Sequence, residues 1–97
     1  MAALFAKAQQ MDPPEAAQQY EQTELRLLVT LCRELQRAIG EGPFYLACRT
    51  AGRLLGVDHS TANRWLFLLC DDKVLLETEK GNRQKRRASR YKYLARM

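Results

Sequence analysis

The sequence predicts a mainly α-helical domain with a small β-hairpin near its carboxyl end. One long helix is indicated by a regular apolar stripe, in which Leu25, Leu28, Cys32, Leu35 and Ile39 are separated by three or four residues. Two shorter helix-like segments follow, and two segments rich in strand-forming residues come last. At 97 residues the chain is expected to form one domain around a modest core.

The amino-terminal part is predicted as an arm over residues 1–21, partly helical or disordered, in front of a domain over residues 22–97. Residues 12–15 read Asp-Pro-Pro-Glu, which is a good helix start because Asp suits the N-cap and Pro the first helical position. The long helix therefore either runs from Pro13, as a projecting arm, or restarts near Thr23.

Glycines end the long helix at Gly40 and Gly42, and the remaining elements follow in the order strand, helix, helix, strand, strand. Their approximate ranges are 43–46, 47–55, 59–71, 74–79 and 89–94. In the last strand Tyr91 and Tyr93 alternate with cationic residues, so the tyrosines are expected to face the core.

Positive charge is concentrated at the carboxyl end. The net charge is +5, yet residues 1–79 carry eight Lys or Arg against eleven Asp or Glu, a sum of −3. The last eighteen residues hold eight cations and no anion: Lys80, Arg83, Lys85, Arg86, Arg87, Arg90, Lys92 and Arg96. A cationic element on an acidic body is typical of polyanion binding. A solvated tail or a targeting signal is the alternative, although the two flanking strands favour a loop held at both ends.

Residues 48–67 have the pattern of two helices joined by a tight turn. Gly56 can supply the positive φ of the turn, Gly52 is small where the next helix approaches, and Asp58 can cap that helix. The inward positions are apolar: Ala51, Leu55, Val57, Ala62 and Trp65.

Polar residues occupy the outward positions of these two helices. Those on the third helix are His59, Ser60, Asn63 and Arg64, and those on the second are Arg49, Thr50 and Arg53. Asn can bind adenine and Arg can bind guanine through two hydrogen bonds in the major groove, while the second-helix residues are placed to meet phosphates. The alternative is that all are solvent-facing residues without a ligand.

These features, with the hairpin that follows, resemble the winged helix-turn-helix superfamily over about residues 24–95. The resemblance rests on residues 49–66 and on the segment from Asp72 to Tyr93, in which Lys73 stands where the superfamily usually has glycine. It implies a three-helix core plus a wing, with helix 59–71 in the major groove. It assigns base reading to Ser60, Asn63 and Arg64. It assigns backbone and minor-groove contact to wing residues 80–90, which include Lys80, Arg83, Lys85, Arg86, Arg87 and Arg90.

The resemblance implies a sequence-influenced double-stranded DNA-binding module in transcriptional regulation, cytoplasmic and associated with the nucleoid. Residues 44–55 and 88–94 are also similar to winged helices appended to primases and replication initiators of phages and mobile elements. The chain would then be an excised module of a larger replication protein. A winged-helix protein–protein interaction module is a further alternative, and single-stranded DNA or RNA stays open as a ligand.

No catalytic, cofactor or metal site is predicted, and the chain is not expected to be an enzyme. The three cysteines lack a CxxC pair, His59 is the only histidine, and no GxxxxGKS-like phosphate loop occurs. Cysteines among apolar neighbours suggest reduced thiols in an intracellular compartment. No apolar stretch is long enough to span a bilayer, so no membrane partner is expected.

The end of the third helix is apolar all round over residues 65–70, and Phe67 falls near the face of Asn63. Either the first helix or its arm covers part of this surface, or a second subunit does. The alternative is that a three-helix core with a wing buries nearly all of these residues. A homodimer through the amino-terminal helix or this apolar end is therefore one alternative for the assembly.

Overall fold

The computed structural model describes residues 2–80 and 88–95, which form helices around a small antiparallel sheet. The helices are α1 (Ala2–Gln10), α2 (Thr23–Ile39), α3 (Cys48–Leu55) and α4 (His59–Asp71), with a 3₁₀ helix at Glu15–Gln19. The strands are β1 (Phe44–Tyr45), β2 (Leu75–Glu79) and β3 (Arg90–Tyr93). The predicted class, mainly α with a small β-hairpin, is confirmed, and the short extended segment joins the hairpin as a third strand.

The sheet has the strand order β1-β3-β2, so β3 is central and pairs antiparallel with both neighbours. Phe44 lies opposite Tyr91, and Leu75 lies opposite Tyr93. All four side chains are buried, and the exposed Lys92 lies between the two tyrosines. The prediction that the tyrosines face the core is confirmed, because alternate residues of a strand point to opposite faces.

Helix α2 supplies the centre of the core. Leu25, Leu28, Cys32 and Leu35 are buried as the spacing predicts, but Ile39 is 52% exposed, so its predicted inward position is wrong. Residues 37–40 are all exposed because the last turn of the helix lies outside the core, where the chain turns away through a glycine with φ of 93°.

The amino-terminal segment folds back onto the domain. Helix α2 begins at Thr23, so the alternative with a restart is the one found, and α1 packs on α2 with Ala8 buried. Further along, the Tyr20 hydroxyl donates a 2.7 Å hydrogen bond to Asp72 just after α4. These contacts hold residues 2–20 against two different helices instead of leaving them as a projecting helical arm.

A buried carboxylate on α2 gathers three cations. Glu34 is 1% exposed and forms ion pairs with Lys7 at 3.3 Å, Arg33 at 3.2 Å and Arg37 at 3.1 Å. Arg33 also donates to the backbone carbonyl of Asp12 at 3.3 Å. Because a buried charge without partners is strongly destabilising, this network ties α1 and the segment after it to the side of α2.

The buried amide of Gln36 connects α2 to the sheet. Its Nε2 donates to the carbonyls of Gly40 at 2.6 Å and Gly42 at 2.7 Å, and its Oε1 accepts from the Tyr93 backbone N–H at 2.8 Å. One side chain therefore fixes both the loop that leads into β1 and the end of β3.

No helix in the described part of the chain is long and apolar enough to cross a membrane. Its three cysteines are free thiols. Cys32 is fully buried, and this burial raises the pKa of its thiol. Cys70 is only half-buried because it lies beside a surface hollow.

Replacing Gln36 with Leu should lower the free energy of unfolding by about 2 kcal/mol, because it leaves the buried Tyr93 N–H without an acceptor. Urea unfolding followed by circular dichroism measures this difference. The control is Gln18→Leu, at an exposed position in the 3₁₀ helix, which should change stability by less than about 0.5 kcal/mol. Equal effects of the two substitutions would contradict the role given to Gln36.

Candidate nucleic-acid interface

A short connection fixes how α3 meets α4. Gly56 has φ of 73°, the left-handed conformation expected of it, and the Val57 N–H donates to the Gly52 carbonyl at 2.9 Å. A Cβ atom on Gly52 would lie only 2.7 Å from the Val57 carbonyl oxygen. The predicted need for a small residue at Gly52 is therefore confirmed, and what approaches it is the backbone of the turn just before α4.

The start of α4 is capped as predicted. The Asp58 carboxylate accepts a 2.8 Å hydrogen bond from the Thr61 N–H. Hydrogen bonding by the Thr61 side chain and, next, by this N–H holds the pKa of Asp58 below its usual value. The cap fixes the first turn of α4, which carries His59 and Ser60.

Helix α4 presents one face to the core and another to solvent. Ala62, Leu66 and Leu69 are buried, whereas Trp65, predicted as a core residue, is half-buried against them. The four residues predicted to face outward are all exposed: His59, Ser60, Asn63 and Arg64. The Arg64 guanidinium makes a long 3.4 Å contact with the Thr61 hydroxyl.

The second-helix candidates lie on α3. Arg49 and Arg53 are exposed and four residues apart, so they share one helix face, and Thr50 beside them is half-buried. The turn at Gly56 separates them in sequence from the α4 residues. The two sets of candidates therefore lie on consecutive helices.

The cationic segment, residues 80–90, follows β2 in the sequence and reaches the first residue of β3. Lys80 is exposed directly after β2, while Arg83, Lys85, Arg86 and Arg87 lie outside the described residues. Arg90 is half-buried in β3, where its Nε lies 3.5 Å from the Glu79 carboxylate and its guanidinium lies 4.5 Å above the Tyr45 ring. Its charge is thus already partly satisfied within the sheet.

A hollow of about 80 Å³ separates α4 from the hairpin. It is lined by Asn63, Leu66, Phe67, Cys70, Glu77 and Tyr91. The body of the hairpin therefore lies beside the exposed face of α4. Tyr91 forms the inner wall of this hollow, and its burial there raises the pKa of its phenol to about 12.

Glu77 and Tyr91 were not among the residues predicted for the site. The register explains their place, since they lie opposite each other in the β2–β3 pair and so point to the same face of the sheet. The alternation of each strand was readable in the sequence, but the register that pairs Glu77 with Tyr91 was not, and it shifts between Glu77 and Glu79.

Lys73 lies in the turn from α4 into β2. It adopts φ of 63°, and the Val74 N–H after it donates to the Leu69 carbonyl at 2.9 Å. The turn therefore keeps the left-handed geometry of a glycine turn, at a backbone cost of about 1 kcal/mol or more.

Apolar side chains remain on the surface of α4. Phe67 is 62% exposed and Leu68 is partly exposed, although the segment ending at Tyr20 reaches the end of the same helix. The chain's own amino-terminal segment thus leaves Phe67 uncovered, and a homodimer through this surface stays a prediction.

No protein-family model, curated protein or solved structure matches this chain. Within residues 2–80 and 88–95, no group of three or more His, Cys, Asp or Glu side chains is arranged to hold a metal ion.

Substituting Ala for Gly52 should lower the free energy of unfolding by about 2 kcal/mol, because the added methyl would push on rigid turn backbone. Gly42→Ala is the matched control, since a Cβ there meets nothing within 4 Å. Chemical unfolding of the two variants compares them directly. A Gly52→Ala variant as stable as the control would show that the contact with the turn can relax freely.

Proposed function

We propose that this chain is a double-stranded DNA-binding module of the winged helix-turn-helix type. In this proposal α4 enters the major groove, and residues 80–90 contact the phosphate backbone or the minor groove. The observation that carries the proposal is the hollow shared by Asn63, Glu77 and Tyr91, because it sets the hairpin directly beside the exposed polar face of α4.

The size and chemistry of α4 support this docking. Its 13 residues give a length of about 20 Å, and a helix of ordinary diameter fits the major groove, which is about 12 Å wide. Asn63 and Arg64 carry the side chains suited to adenine and guanine edges, and Arg49 and Arg53 on the preceding helix would meet the flanking phosphates.

The charge distribution supports an oriented encounter with a polyanion. Residues 1–79 sum to −3, so attraction is concentrated in the carboxyl-terminal segment. Arg90 is paired with Glu79 and stacked on Tyr45. We therefore expect Arg90 to contribute less to phosphate binding than the cations from Lys80 to Arg87.

We assign the module to transcriptional control in the cytoplasm, at the nucleoid. A DNA-binding domain of a replication initiator or primase-type protein would use the same surface, and the length of the native reading frame separates these two roles. A protein–protein interaction module is the second candidate function, and the exposed Phe67 and Leu68 are the observation that favours it.

Fluorescence titration with random duplex, single strand and RNA, each at several salt concentrations, tests the proposal. If six phosphates are contacted, the affinity for duplex should fall with salt at a log–log slope of about −5. Tighter binding of single strand or RNA than of duplex, or binding that ignores salt, would refute the proposed function.

Neutralising the cationic segment should weaken binding to every duplex alike. Arg86→Ala combined with Arg87→Ala removes two phosphate contacts and should make the salt slope shallower by about 2. The same titration with Arg86→Lys and Arg87→Lys is the matched control, which keeps the charges and should keep the slope. A slope unchanged in the alanine variant would exclude both side chains from the phosphate contact.

Removing the guanidinium from α4 should instead relax sequence preference. Arg64→Ala should lose about 1–3 kcal/mol of discrimination at one base step, because a single bidentate contact to guanine is lost. Selection from a randomised duplex pool, followed by titration of the winning site and its single-base variants, measures this loss. Arg64→Lys should keep the salt slope but lose the preference, and unchanged preference in both variants would remove Arg64 from base reading.

A further inference from the structure

The exposed ring of Phe67 lies on the face that the proposed function places in the groove. Phe67 follows Asn63 by four residues on the same helix and borders the same hollow. Phosphates and the polar atoms of base edges provide no apolar contact for an aromatic ring at this position. The apolar group that a major groove presents is the methyl on C5 of a pyrimidine, which thymine carries and cytosine gains when it is methylated.

The walls of the hollow suit such a methyl group. Leu66 and Tyr91 are almost fully buried and form its inner wall, whereas Asn63, Phe67 and Glu77 are exposed and form its rim. The hollow, of about 80 Å³, has room for a methyl group. A base that stays stacked in the duplex keeps its ring in the stack, so it would place only a projecting substituent here.

The Glu77 carboxylate adds a polar preference at the rim. Glu77 and Cys70 both line the hollow. Burial and, next, the nearby Glu77 carboxylate raise the pKa of Cys70. An ionised carboxylate only accepts hydrogen bonds. Beside the C5 position, cytosine presents the N4 amino donor, whereas thymine presents the O4 acceptor, so Glu77 favours cytosine and disfavours thymine.

We propose that the hollow between α4 and the hairpin receives the C5-methyl group of a pyrimidine, and that Glu77 makes 5-methylcytosine the preferred base over thymine. This inference rests on the proposed duplex binding and names its ligand: methylated cytosine read in the major groove. Phe67 and Glu77 are its specificity-determining residues, Phe67 for the methyl and Glu77 for the amino group.

The test uses the full chain and four randomised duplex pools that differ only in pyrimidines. The pools combine cytosine or 5-methylcytosine with thymine or uracil, since uracil is thymine without its methyl. We expect the site selected from a methylated pool to bind about fourfold more weakly when the contacted methyl is removed, the effect of withdrawing one methyl from water. Thymine in place of that 5-methylcytosine should weaken binding about fivefold or more, as for a mismatched base.

Three variants separate the two contacts. Phe67→Ala should abolish the difference between methylated and unmethylated cytosine, and Phe67→Leu should restore part of it. Glu77→Gln should abolish the preference for 5-methylcytosine over thymine, because an amide both donates and accepts. Leu76→Ala is the control, since Leu76 is similarly exposed but points away from the buried Leu75 to the outer face of the sheet.

The outcomes separate this inference from the proposed function. Duplex binding with a slope of about −5 and equal affinity for the methylated and unmethylated sites would overturn the methyl site alone. Phe67→Ala that retains the methyl preference and dissociates a dimer in sedimentation would also overturn it, by assigning the ring to subunit contact. Failure of the wild-type chain to bind any duplex would overturn both proposals.

Discussion

The close approach of Gly52 to the turn before α4 is the constraint on which the exposed surface depends. The carbonyl oxygen of Val57 would lie only 2.7 Å from a Cβ on Gly52, so α3 meets the turn before α4 with backbone against backbone. That contact sets the rotation of α4, burying Ala62 and Leu66 and leaving Asn63 and Arg64 in solvent. A larger residue at Gly52 would move the whole polar face, since packed elements shift as units.

The second constraint is the connection of the sheet to the helices. Gln36 holds the end of β3 through the Tyr93 N–H, and the same amide holds the loop that leads to β1. The central strand carries Tyr91 to the hollow beside α4, and β2 brings Glu77 opposite it. The buried, hydrogen-bonded amide of Gln36 in α2 thus helps to fix the position of the hairpin relative to α4.

Cations in the described part of the chain lie in different surroundings. Arg33, Arg37 and Lys7 form ion pairs with the buried Glu34, where their charge is used for folding. Arg64, by contrast, is exposed on α4. Composition alone does not separate these groups, because an arginine that stabilises a core and an arginine that meets a ligand look the same in a sequence.

By itself the sequence determined the class and order of the elements, because period, glycine positions and the Asp58 cap are local signals. It also placed the exposed polar residues on α4, since a helix face follows from spacing. Tertiary structure decided that Ile39 is exposed, that Arg90 is held by Glu79 and Tyr45, and that Glu77 borders the hollow. Those facts depend on the helix end, the strand register and the packing of separate elements, which are set by contacts between residues far apart in the chain.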